Sequence, residues 1–169
     1  MNLHQLSLNA LDLSDQNDRP HDLLARVSVC LDRGKPDEAL SLLAGPGTPW
    51  IQNARAVCQM RTGRPAEAAG ILRRLVFEPS GLAMKQEVPA VFQANYATAL
   101  LLEGNTDGFF SVFHAIRERG DPAVARIDAA LRRWKRSMNA WQRIGSFFGT
   151  GGPSFTIDFT PGDLGSADQ

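Results

Sequence analysis

The sequence has no net charge, few cysteines and no long apolar run, and each of these absences excludes a class of protein. Lysine and arginine together number 18, as do aspartate and glutamate, which excludes a globally basic nucleic-acid binder and an acidic disordered chain. Cys30 and Cys58 are too few for a disulfide framework, and their apolar neighbours predict two buried free thiols. No stretch reaches the about 18 apolar residues of a membrane span and the N-terminus lacks a secretion signal, so we expect a cytoplasmic protein without a membrane partner.

The motifs that carry enzyme chemistry are also missing. The 3 histidines, His4, His21 and His114, have no metal-ligand spacing to another histidine, a cysteine or a carboxylate. The sequence contains no phosphate-binding loop, no dinucleotide-binding glycine pattern and no nucleophile elbow. Glu38 and Glu67 occupy matching positions of a repeat, which marks them as helix-start residues rather than an acid/base pair. We therefore predict a protein that is not an enzyme and that needs no cofactor and no metal.

An internal repeat organises the sequence that is present. The 169 residues, 43% hydrophobic and 21% charged, have the composition of one folded domain. Residues 34–43 and 63–72 share a glycine, a basic residue, a proline, any residue, Glu-Ala and, after two variable positions, an aliphatic pair. In this pattern glycine ends one helix, proline begins the next, and the small Ala39 and Ala68 let two helices cross closely. The repeat therefore predicts helical hairpins.

A weaker third copy covers residues 104–113. It keeps the glycine and the apolar pair but lacks the proline, and Phe109 replaces the small alanine. The larger ring predicts either a splayed helix pair or a filled gap between neighbouring helices. Upstream of each repeat glycine, apolar residues recur at intervals of three and four, which is typical of an amphipathic helix.

The repeat resembles the tetratricopeptide repeat family, whose unit is a pair of antiparallel helices. Residues 54–63 and 95–104 look like the first helices of such units. The resemblance implies an all-α, right-handed helix-turn-helix solenoid of about three divergent hairpins over residues 20–118. Beside the hairpins we expect an N-terminal extension over residues 1–19, a long capping helix over 119–149 and a short flexible or extended tail over 150–169.

The resemblance also implies a function. In this family the first helices of successive units line a concave groove that grips a peptide, so we expect a non-catalytic interaction module or scaffold with an unidentified protein or peptide partner. The implied groove residues are His21, Ser28, Asp32, Asn53, Arg61, Asn95 and Thr98. An asparagine at position 95 can donate to and accept from an extended backbone, and a hydrogen bond to a neighbouring helix is its alternative role.

The segment 121–148 predicts one long helix that ends at Gly149. An apolar stripe runs along it and includes Leu131, Trp134, Met138 and Trp141. The stripe predicts a cap over the open end of the solenoid or, as the alternative function, the self-association seam of a homodimer. The segment carries 6 basic and 2 acidic side chains, so nucleic-acid binding through residues 132–136 is a third and less favoured function.

An acidic tail follows this basic helix. Residues 149–169 carry 3 acidic side chains and no basic one. Residues 155–159 alternate apolar and polar, which is typical of an extended segment with one covered face. This segment has three alternatives, a frayed end, packing against the helices or pairing with a second copy. A further hypothesis is that residues 155–164 act as an internal ligand, either in the groove or on the basic helix.

Overall fold

The computed structural model describes residues 21–81, 83–85, 87–137 and 155–165. The all-α prediction is confirmed for these residues, in which one antiparallel bridge between Phe77 and Met84 is the only strand-like pairing. No helix in the described part of the chain is both long and apolar enough to cross a membrane. The helices are α1 (residues 21–32), α2 (Pro36–Leu42), α3 (Pro49–Arg61), α4 (Pro65–Val76), α5 (Ala90–Leu102), α6 (Thr106–Ala115) and α7 (Pro122–Ser137). The predicted N-terminal extension, Met138, Trp141 and the predicted helix end at Gly149 lie outside the described residues.

The helix boundaries follow the local signals of the sequence. Pro36 and Pro65 occupy the first turns of α2 and α4, as the repeat predicts. Short polar side chains cap the N-termini of α6 and α7: the Asn105 side chain accepts from the Gly108 N–H at 2.9 Å, and the Asp121 carboxylate accepts from the Ala123 N–H at 2.8 Å. The three repeat glycines have positive φ angles, namely 69° at Gly34, 75° at Gly63 and 89° at Gly104.

The helices form two layers. Residues 62–64 join α3 to α4 and residues 103–105 join α5 to α6, and the helices of each pair pack against each other. In addition, α3 contacts α5, and α5 contacts α7, while α4 packs on both α3 and α5. The helices α3, α5 and α7 therefore lie side by side in one layer, and α4 and α6 lie behind them.

The core between the layers contains the small crossing residues and several large rings, of which Phe109 is the most completely buried. Ala39 and Ala68 are fully buried, as expected for close helix contacts. Phe109 is also fully buried, and its ring centroid lies 5.7 Å from that of Phe113 and 5.4 Å from that of Phe155. Of the two alternatives for position 109, the ring therefore fills a gap between neighbours.

The two thiols differ in burial. Cys58 on α3 is fully buried, as predicted. The prediction is wrong for Cys30, which is half-buried. Cys30 lies on α1 and lines an open depression together with Val29 and Leu42. Val29 is 46% exposed, so the described residues leave this side of α1 open to solvent.

Candidate peptide-binding site

Residues 155–165, here called the tail, contain no helix or strand and lie across the layer of α3, α5 and α7, with bends at Phe159 and Pro161. We call the surface of these three helices that contacts it the tail-binding face. The tail passes Trp134 of α7 at Phe155, reaches Arg61 near the end of α3 at Pro161, and meets Trp50 near the start of α3 at Gly165. The tail therefore runs antiparallel to α3.

The tail packs with one side toward the helices. Phe155 is 5% exposed, and its ring centroid lies 5.4 Å from that of Trp134. Ile157 and Phe159 are half-buried, whereas the intervening polar residues, Thr156 and Asp158, are exposed. Of the three alternatives for this segment, packing against the helices is the one that the structure shows.

Two buried asparagines bind the main chain of the tail. Asn95 of α5 donates to the Asp163 carbonyl at 2.7 Å and accepts from the Asp163 N–H at 2.9 Å. Asn53 of α3 donates to the carbonyls of Asp163 and Leu164, both at 3.2 Å. The Asn95 amide also donates to the Asn53 side-chain oxygen at 2.8 Å, so the hydrogen bond to a neighbouring helix is present, and the backbone that Asn95 binds is that of the chain's own tail. The two side chains are 0% and 2% exposed, so the tail satisfies amides that have no access to water.

Arg61 binds the main chain one step earlier along the tail. Its guanidinium donates to the Pro161 carbonyl at 3.0 Å and to the Gly162 carbonyl at 3.1 Å. Burial lowers the pKa of Arg61, while the nearby carboxylates of Asp32 and Asp163 act in the opposite direction. A guanidinium nevertheless stays charged in proteins, so these are charge-assisted hydrogen bonds to main-chain carbonyls.

The helix α7 binds the acidic side chains of the tail. Arg126 pairs with the Asp163 carboxylate, and its guanidinium lies 5.9 Å from the centroid of the Phe159 ring. Arg133 makes two hydrogen bonds to the Asp158 carboxylate, at 2.6 and 2.8 Å. These bonds to Arg133 hold the pKa of Asp158 below its ordinary value of 3.8. The tail thus occupies both places that the internal-ligand hypothesis names, because it covers α3 and α5 and also packs on the basic helix.

The seven residues implied by the family resemblance separate into two groups. Asn53, Arg61 and Asn95 bind the tail main chain directly. Thr98 is buried on the same face, beside Phe159 and Gly162, but its hydroxyl donates to the Ala94 carbonyl of its own helix at 2.9 Å. His21, Ser28 and Asp32 lie on α1, and none of the hydrogen bonds between the tail and other described residues comes from that helix.

Of the residues assigned to a cap or a self-association seam, the two that the structure describes pack within the chain. Leu131 is 4% exposed in the core, and Trp134 contacts Phe155 of the tail. Arg126 was not singled out in the sequence, although it makes two contacts with the tail. The sequence signal that could have found it is the basic charge of residues 121–148 next to the acidic charge of residues 149–169. This signal indicates that the two segments attract each other but does not identify the residues that form ion pairs.

The site offers hydrogen bonds and charge rather than reactive groups. Within the described residues, no three histidine, cysteine, aspartate or glutamate side chains form a group that could hold a metal ion. Comparisons with protein-family models, with curated proteins and with solved structures find no match to this chain. The functional argument therefore rests on the geometry of the tail-binding face.

Proposed function

We propose that this chain is a tetratricopeptide-like solenoid that acts as a non-catalytic interaction module and binds an extended protein segment on the tail-binding face. The observation that supports this function is the binding of one residue's N–H and C=O by the buried side chains of Asn53 and Asn95. The tail is then an internal ligand, which a partner segment displaces. The free thiols suit a reducing compartment such as the cytoplasm.

The burial of the two amides supports a binding role over a purely structural one. A buried amide without hydrogen bonds costs free energy, and structural asparagines are usually satisfied by the helices around them. Here Asn95 and Asn53 bond to each other once, and their other hydrogen bonds within the described part of the chain go to tail main chain. The two asparagines therefore recognise the main chain of the ligand at one residue, whatever side chain that residue carries.

A peptide-display selection tests this function. The bait is the full chain carrying Gly162→Val, which disturbs the binding of the tail and leaves the sequences of α3, α5 and α7 as they are. We expect the selection to enrich extended peptides whose binding is lost when Asn95→Ala is added to the bait. A selection that enriches no peptide, or peptides insensitive to Asn95→Ala, would contradict the proposal.

Self-association is the second candidate, now through exchange of tails between two copies. The tail carries its own buried anchor, Phe155, and two ion pairs, and a second copy presents the same face to it. Light scattering coupled to size exclusion distinguishes the cases, since exchange predicts a dimer that becomes monomeric with Gly162→Val. Nucleic-acid binding has less support, because Arg132 and Arg133 pair with Asp128 and Asp158.

A further inference from the structure

We infer that the tail-binding face recognises the pattern Gly-Asp-x-Gly, with x apolar, in an extended segment of another protein, and that residues 162–165 are an internal copy of this pattern. The inference rests on the proposed function and adds the sequence that the ligand must carry. Each of the fixed positions is read by different groups of α3, α5 and α7.

The first glycine is required by both space and backbone conformation. Gly162 is buried and has a φ of 81°, a region that residues with a Cβ rarely adopt. A Cβ at this position would lie 2.9 Å from Val57 Cγ1 and 2.9 Å from Met60 Cε. Val57 is fully buried and stiff at χ1, so it cannot move away at low cost.

The aspartate is read through its main chain and its side chain. Asn53 and Asn95 hold the main-chain groups of residue 163, which any amino acid could supply. The carboxylate pairs with Arg126 and also accepts from the N–H of Gly165 at 3.1 Å. An asparagine here could still accept from the Gly165 N–H but would lose the ion pair with Arg126. A glutamate would place its carboxylate one methylene further from the main chain. Aspartate therefore fits both contacts.

The second glycine, Gly165, is required for the same two reasons as Gly162, and it lies at the other end of the tail-binding face. Gly165 has a φ of 71°. A Cβ there would lie 2.9 Å from Trp50 Cζ3 and 3.0 Å from Val91 Cγ1. Between the two fixed positions, Leu164 is half-buried against the core and its carbonyl accepts from Asn53. This position is therefore the variable, apolar one.

A ligand in trans must compete with the tail. The tail belongs to the same chain as the helices, so it binds them intramolecularly and has an advantage over a free peptide of the same sequence. A partner segment with the same pattern therefore binds weakly to the native chain and more strongly to a variant whose own tail no longer binds.

The test is a titration of synthetic peptides against two full-length chains, the native one and Gly162→Val. The probe is a fluorescein-labelled peptide of residues 155–165, and Gly165→Val serves as a second chain should Gly162→Val fail to fold. We expect the Gly162→Val chain to bind the probe at least about tenfold more tightly than the native chain, because its own tail no longer competes for the tail-binding face. The exposed Thr160 provides the matched control, so the Thr160→Ala peptide should bind like the probe.

The peptide variants decide whether the pattern is read. Peptides with Gly162→Ala or Gly165→Ala should bind at least about tenfold more weakly than the Thr160→Ala peptide because of the clash, and the Asp163→Asn peptide should bind measurably more weakly because it loses the partly exposed ion pair with Arg126. Equal binding of all four peptides would overturn the inference and leave the proposed function intact. Failure of every peptide, together with an empty display selection, would overturn both.

Discussion

Two asparagine side chains account for the main-chain contacts at the centre of the tail-binding face. Asn95 uses its carbonyl once and its amino group twice, and Asn53 donates twice and accepts once. Because both side chains are excluded from water, loss of one partner leaves the other with unsatisfied groups. The pair therefore acts as one unit rather than as two separate contacts.

Substitution of Asn95 by alanine should reduce stability markedly. The change removes three hydrogen bonds and leaves the Asn53 oxygen and the Asp163 N–H without partners, so we expect a loss of about 2–3 kcal/mol in the free energy of unfolding. Urea-induced unfolding followed by circular dichroism measures it. The matched control is Thr98→Val on the same helix, which removes only a bond to Ala94 and should cost less than about 1 kcal/mol. Equal losses in both variants would contradict the role of Asn95.

The Cys58 thiol should resist alkylation in the folded chain. Burial raises its pKa to about 11, so the reactive thiolate is scarce at neutral pH, and the side chain is also inaccessible. Cys30 is half-buried and provides the internal control. We expect iodoacetamide to label Cys30 first in the native chain and both thiols in urea, as read by mass spectrometry of the digested protein. Equal labelling rates without urea would show that α3 opens readily.

At the scale of elements, the hairpins were predictable and the tail contacts were not. The starts of α2 and α4 depend on Pro36 and Pro65, and each signal lies within the few residues that it organises. The bond from Asn53 to Leu164 joins residues 111 apart, and no local pattern encodes such a register. The family resemblance singled out Asn53, Arg61 and Asn95, yet the α7 residue Arg126 required the folded arrangement to be seen.

Two glycines in different elements should respond oppositely to alanine. Gly70 lies in the interior of α4, is exposed, and a Cβ there would meet open space. Gly70→Ala should therefore raise the free energy of unfolding by about 0.5–1 kcal/mol, because it restricts the unfolded chain and favours the helix. Gly162→Ala should lower it, owing to the clash with Val57 and Met60 and the positive φ. Thermal unfolding of both variants provides the measurement, and shifts of the same sign would contradict the assignment of Gly162.

At the scale of the whole molecule, the tail connects helices that are distant in the sequence. A single segment binds α3 through Asn53 and Arg61, α5 through Asn95, and α7 through Arg126. Release of the tail would remove hydrogen-bond partners from all three helices at once. Partner binding and the stability of the helix layer should therefore be linked, since a segment that replaces the tail restores the same bonds.

The pH dependence of Asp158 reports whether the tail is docked on α7. Arg133 lowers the pKa of Asp158 below 3.8, so the ion pair contributes to docking at neutral pH and is lost as the pH falls through that lowered pKa. Carboxyl-carbon NMR of the full chain, titrated from neutral pH to about pH 2, should give a pKa for Asp158 below 3.8. In the Arg133→Gln variant, the pKa of Asp158 should rise back toward 3.8. Arg132→Gln is the matched control, because Arg132 pairs with Asp128 of its own helix. An ordinary pKa for Asp158 that neither variant changes would mean that the tail does not rest on α7 in solution.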